Sequence, residues 1–133
     1  MIAHILIVED NLANMELAEY LLKAHGYSPA KAYDGAQGLS SINERRPDLV
    51  VCDLQMPVMD GYELLQILRA DEATSSLVVV AVTALSMPGD KTRVIAAGFD
   101  GYLSKPIEPE SFVAQLETYL PPELHARSDL SQG

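Results

Sequence analysis

The chain has 133 residues, 48% of them hydrophobic and 21% charged, which suits one globular domain with a real core. Its formal net charge of −10 argues against nucleic acid and against anionic membrane surfaces as partners, since both need clustered Lys and Arg. The longest apolar stretch, around Leu77 to Leu85, falls short of the about 20 residues that span a bilayer, and the N-terminus meets Glu9-Asp10 at once instead of carrying a basic leader.

Ile5-Leu6-Ile7-Val8 is uniformly apolar, as a strand buried on both faces is, and it runs into acid at Glu9-Asp10. Asn11 can cap a following helix in which Met15, Ala18 and Leu22 recur at helical spacing, with Gly26 as its stop. Ser28 to Ala32 is a weak strand that Pro29 confines to a sheet edge. Asp34-Gly35-Ala36-Gln37 fits a capping box and opens a second helix, with Ala36, Leu39 and Ile42 inward and its end before Pro47. Leu49-Val50-Val51-Cys52-Asp53 is another buried strand with a carboxylate at its end, and a loop punctuated by Pro57 and Gly61 follows. Asp60-Gly61-Tyr62-Glu63 repeats the cap pattern and starts a third helix, whose expected apolar face is Leu64, Ile67 and Leu68. Leu77 to Thr83 is a strand ending in a hydroxyl, Pro88 opens a fourth helix to Ala97, and Gly98 stops it. Gly101-Tyr102-Leu103 is a short last strand closed by Ser104-Lys105-Pro106. Pro109 opens a fifth helix with Phe112, Val113 and Leu116 inward, and Pro121-Pro122 ends the fold. Residues 1–120 therefore read as one domain and 121–133 as a polar, mobile tail.

A strand and a helix alternate five times, which predicts an α/β fold with a parallel sheet and helices on both faces. In a doubly wound, flavodoxin-like sheet of order 2-1-3-4-5, strands one and three meet at the switch point, where ligands bind beyond the carboxyl ends. That order brings Glu9, Asp10 and Asp53 into one crevice, with Thr83 and Lys105 beside them. Crowded carboxylates repel unless a cation joins them. A few carboxylates with waters and a phosphate is how Mg2+ is held, and Lys105 and Thr83 suit a phosphoryl oxygen.

With these residues in view, the chain resembles the receiver domains of two-component response regulators. The resemblance rests on Glu9-Asp10-Asn11 after an apolar strand, Asp53 followed by Met56-Pro57 and Asp60-Gly61, Val82-Thr83-Ala84, and Lys105-Pro106, in family order across about residues 3 to 120. It implies a signalling switch, not a turnover enzyme. Asp53 would take a phosphoryl group from a histidine kinase or histidine phosphotransfer protein, in the cytoplasm. Asp10, Asp53 and the Gln55 carbonyl would hold Mg2+ directly, and Glu9 through water. Lys105 would pair with the phosphate, Thr83 would move onto it, and Tyr102 would reorient with Thr83. A downstream protein effector would read the face formed by the fourth helix, last strand and fifth helix. The Lys105-Pro106 bond would be cis. A stand-alone receiver is expected, since few residues follow the fifth helix.

Plainer roles suit other residues. Asp60 reads as a helix cap, Cys52 as core, and Met56, Met59 and Met87 as loop packing, while His4, His25 and His125 show no metal-ligand spacing. A phosphohydrolase forming an aspartyl phosphate would carry a general acid two residues after the nucleophile, where this chain has Gln55. Gln55 and Leu85 occupy the positions that tune dephosphorylation in the family, and apolar Leu85 is expected to slow hydrolysis.

Overall fold

The structure, a computed structural model, describes residues 2–84 and 88–126. Leu85, Met87 and the last residues of the expected tail lie outside the described residues. Strands β1 (Ile5–Val8), β2 (Ala30–Ala32), β3 (Leu49–Asp53), β4 (Val79–Thr83) and β5 (Gly101–Ser104) form one parallel sheet in the order 2-1-3-4-5. Between and after them run α1 (Leu12–Ala24), α2 (Gly35–Glu44), α3 (Gly61–Ala70), α4 (Asp90–Ala97) and α5 (Phe112–Glu117). No described helix is long and apolar enough to cross a membrane.

The uniformly apolar strands are explained by two cores, one on each face of the sheet. Ile5, Ile7, Leu49, Val51, Val80 and Val82 point to the core closed by α1 and α5. Their neighbours Leu6, Val8, Val50, Cys52, Val79 and Ala81 point to the core closed by α2, α3 and α4. Each fully buried Leu, Ile or Val contributes about 1.5–3 kcal/mol by leaving water, so a polar residue at any of these positions would be costly. Pro29 and exposed Lys31 do leave β2 at the edge, paired with β1 alone.

The helix starts follow local chemistry. Asn11 Oδ1 accepts the Asn14 N–H at 2.9 Å, and Asp60 with Glu63 forms a complete capping box. The expected box at α2 is half formed: Asp34 Oδ1 accepts the Gln37 N–H, but Gln37 Oε1 reaches back to the Tyr33 N–H instead of the cap. In α3 the buried stripe is Gly61, Leu64, Leu65 and Leu68, and Ile67 is exposed, because the helix presents its 61–65–68 edge to the sheet. In α2, Ala36 and Leu39 are only half-buried; Gly35 and Gly38 take the closest positions with Ile42. Strand β4 begins at Val79 rather than Leu77, and α4 and α5 start at Asp90 and Phe112, past their prolines.

The first six residues of the expected tail are seated on the domain. Pro122–Leu124 form a 3-10 turn, Leu124 O accepts the Ala3 N–H at 2.8 Å, and the Ala126 N–H donates to the buried Tyr27 hydroxyl at 2.9 Å. His125 Nε2 lies 2.9 Å from Glu117 O and 3.0 Å from Leu120 O, which seats its ring on carbonyls at and just past the end of α5.

Candidate functional site

Strand register delivers the site. Val8 pairs with Cys52 and Asp53 with Val82, so Glu9, the next residue on β1, stands beside Asp53. Thr83 pairs with Ser104 one step further, and Lys105 follows. Glu9 and Asp53 have the same strand parity as Ile7 and Val51, which turns both side chains toward the α1 face.

Both carboxylates are buried, with 4% of Glu9 and 5% of Asp53 exposed, while Asp10 is exposed. One carboxylate oxygen from each of the three lies within 4.8 Å of the others. Lys105 Nζ reaches Asp53 Oδ2 at 3.0 Å and Glu9 Oε1 at 3.4 Å. The Gln55 N–H donates to Asp53 Oδ1 at 3.3 Å and the Asn11 N–H to Glu9 Oε2 at 3.1 Å. These residues, with Asn14 and Thr83, line an open cleft of about 630 Å³ at the carboxyl edge of the sheet.

Charge is unbalanced here, because three acids face one ammonium. Burial, followed by the hydrogen bond with Asp53 and that residue's charge, pushes the Glu9 carboxyl up to about 7, against the opposing pulls of the Asn11 N–H and Lys105. Burial works against the Lys105 ammonium, but Asp53 and Glu9 outweigh it and hold its pKa above the ordinary value. Three carboxylates with hard oxygen donors and only one ammonium beside them fit a hard divalent cation such as Mg2+.

The site residues expected from sequence, Glu9, Asp10, Asp53, Gln55, Thr83 and Lys105, all line this one cleft. Tyr102 does not. It is half-buried on β5, paired with Ala81, and its ring lies 5.6 Å from Lys91 Nζ in a shallow apolar hollow of about 430 Å³ lined also by Thr92, Ile95 and Ala96. The Lys105-Pro106 bond is cis. Two site contacts escaped the sequence reading. Asn11 reads as a cap, which it is, but its backbone N–H also holds Glu9, and no side-chain pattern announces that. Gly35 reads as part of a cap, yet its N–H donates to Met59 O at 3.0 Å, on the loop that follows Asp53.

A doubly wound parallel sheet with a lysine and an acidic, cation-fitting cluster at its switch point defines a class of phosphate-handling α/β domains. Within that class the chain belongs to the response regulator receiver domain family, which it matches over residues 5–117. It is 38% identical over 116 residues to the polar-differentiation response regulator DivK of Brucella anthropi, covering 87% of this chain and 94% of that one. The structure of the chemotaxis protein CheY4 of Vibrio cholerae superimposes with a TM-score of 0.83 at 28% identity, covering 90% of this chain and all of the other. The receiver domain of a Pseudomonas aeruginosa sensor histidine kinase, solved with a magnesium ion coordinated in its active-site cleft, gives a TM-score of 0.80 at 32% identity, covering 90% and 98%. Receiver domains bind Mg2+ at an acidic pocket and interact with histidine kinases and downstream effectors, and membership implies phosphorylation-dependent signalling for this chain.

Proposed function

We propose that Asp53 is the phospho-acceptor of this switch and that Asp10, Asp53 and the Gln55 backbone carbonyl hold Mg2+, with Glu9 acting through water. The observation that carries the reading is the Asp53 carboxylate at the open cleft, with Lys105 Nζ at 3.0 Å and the other acids beside it. A magnesium ion in the corresponding cleft of the Pseudomonas receiver supports the metal assignment. An Asp53 carboxylate oxygen attacks the phosphorus of a partner's phosphohistidine, the P–N bond breaks with its electron pair going to the ring nitrogen, and the imidazole, already carrying a proton on its other nitrogen, leaves neutral while an aspartyl phosphate forms. Mg2+ supplies positive charge to the phosphoryl oxygens. Lys105, released from Asp53 Oδ2, pairs with another of them, and the surrounding residues position the groups.

The acyl phosphate adds about −1.5 to −2 charge at a buried strand end. Thr83 satisfies one new acceptor oxygen by moving toward it, and Tyr102 follows into the space released. That changes the surface of α4, β5 and α5, where the Tyr102 hollow already lies open to an effector. Inverting such an equilibrium from 1:99 to 99:1 takes about 5.5 kcal/mol. A few charge-assisted hydrogen bonds, at about 1.5–3 kcal/mol each, are the right size. A cytoplasmic location and a kinase or phosphotransfer partner go with this reading.

Incubation with acetyl phosphate and Mg2+ tests it. Intact mass rises by one phosphoryl group in wild type and stays unchanged in Asp53→Asn. No gain in wild type, or a gain that survives Asp53→Asn, overturns the assignment.

A further inference from the structure

The loop between β3 and α3 carries Gln55, and its course is fixed from outside the cleft. Val58 sits at φ 69°, a conformation rare for a β-branched residue, and is 80% exposed, so its own side chain does not hold it there. Pro57 O accepts the Met59 N–H at 2.7 Å and closes a tight three-residue turn around it. Such a turn persists only where its surroundings impose it.

Two helix N-termini impose it. The first residue of α3, Gly61, donates its N–H to Leu54 O, and the first residue of α2, Gly35, donates to Met59 O, each at 3.0 Å. Both N–H groups are ones a helix leaves without internal partners. Gly35 has no positive φ, so conformation does not demand glycine there. Space does: a Cβ on Gly35 would lie 2.5 Å from Met59 O and 2.8 Å from Met59 Cγ. The carbonyl is backbone, so it clears a Cβ only if the loop moves. Gly38, in the same helix, differs in kind, because a Cβ there meets side chains, the nearest being Val8 Cγ2 at 3.1 Å.

We propose that Gly35 is a positioning residue for the phospho-acceptor: by admitting Met59 O against the start of α2, it holds the β3–α3 loop on the course that aims the Gln55 N–H at Asp53 Oδ1. The proposal rests on the reading of Asp53 as acceptor and adds α2, which contributes no residue to the cleft lining, to the parts that set its reactivity. With Lys105 on Oδ2 and Gln55 on Oδ1, the carboxylate is held from both sides. Displacing the loop releases one side.

The test compares Gly35→Ala with Gly38→Ala in the full chain. In metal-free protein, Gly35→Ala shifts the backbone amide resonances of Gln55 and Met59, and Gly38→Ala leaves them in place. With acetyl phosphate and Mg2+, Gly35→Ala gains the phosphoryl group about tenfold more slowly, a loss typical of a misaligned reacting group, and Gly38→Ala keeps the wild-type rate at whatever Tm it shows. A wild-type Gln55 resonance and rate in Gly35→Ala overturns the proposal, as does equal slowing in Gly38→Ala at a matched change in Tm. Should Gly35→Ala fold poorly, combining it with Val58→Gly frees the turn: stability returns and the rate stays below that of Val58→Gly alone, whereas a rate equal to that single variant refutes the proposal. Wild type that gains no phosphoryl group defeats the reading of Asp53, and the Gln55 resonance then decides the role of Gly35 alone.

Discussion

At the amino end of the sheet, Arg69 donates from every nitrogen of its guanidinium: Nε and one terminal nitrogen to Gly98 O, the other to Leu77 O and Ser75 O, and a further bond to Asp100 Oδ2 at 3.0 Å. Asp100 also accepts the Val79 N–H at 2.8 Å. At the carboxyl end, one lysine reaches two of three clustered carboxylates, Glu9 is pushed toward protonation, and a β-branched residue is held at positive φ. Charge and backbone groups are matched at the first end, which ties α3 and the end of α4 to the starts of β4 and β5. They are mismatched at the second, which leaves work for a ligand to do. Polar groups therefore serve stability at one edge and function at the other.

The largest expected effect comes from breaking the matched edge. Arg69→Ala leaves the Leu77 and Gly98 carbonyls and Asp100 short of donors, and should lower stability by about 3 kcal/mol, read from urea unfolding. The rate of phosphoryl gain from acetyl phosphate, measured well below the unfolding midpoint, should stay at the wild-type value. A loss under about 0.5 kcal/mol would erase the contrast between the edges, since that is the size of an ordinary surface substitution.

Removing mismatch should do the opposite. With its carboxyl raised from 4.5 to about 7, Glu9 binds more protons in the folded than in the unfolded protein across that window. Stability from this group is complete below the unfolded value and is lost as pH rises through the folded one. Metal-free protein should thus lose roughly 1–3 kcal/mol relative to Glu9→Gln between the two values. Mg2+ should remove most of that difference, because a cation favours the ionised carboxylate. Urea midpoints across pH for the two proteins, with and without Mg2+, read it directly. Parallel pH profiles in metal-free buffer would show that Glu9 sits there without cost.

The difference between the edges also explains what the amino-acid sequence discloses. The carboxyl edge is built from strand ends, so apolar runs terminated by Glu9, Asp53 and Thr83 mark it, and alternation of strand with helix sets the order that joins them. The amino edge is built from side chain to carbonyl bonds between distant segments, and Arg69 looks like any lysine or arginine in the last turn of a helix. Ile67 and Leu65 exchanged places because helical spacing alone fits either residue to an apolar stripe, and only packing against the sheet chooses. Tyr27 and the 121–126 segment were opaque for the same reason: a hydroxyl that accepts from Ala126 and donates to Glu117 depends on residues far along the chain. Gly35 is the intermediate case. A glycine where alanine would favour the helix hints at close approach, but not at what approaches.

The smallest effect sharpens the comparison most, because it separates strain from charge. Val58→Gly gives up little packing, since the side chain is 80% exposed. A non-glycine residue at positive φ costs about 1–3 kcal/mol, and glycine returns about 0.5–1 kcal/mol of that through its freer unfolded chain. The balance is a gain of about 1 kcal/mol, measurable as a higher urea midpoint at unchanged slope. A stabilised variant with slower phosphoryl transfer would mean that the turn's tension helps hold Gln55 against Asp53. A stabilised variant with the wild-type rate would leave that alignment to the Gly35 and Gly61 anchors alone, which would make the strain at Val58 incidental and the charge at Glu9 the only mismatch tied to function.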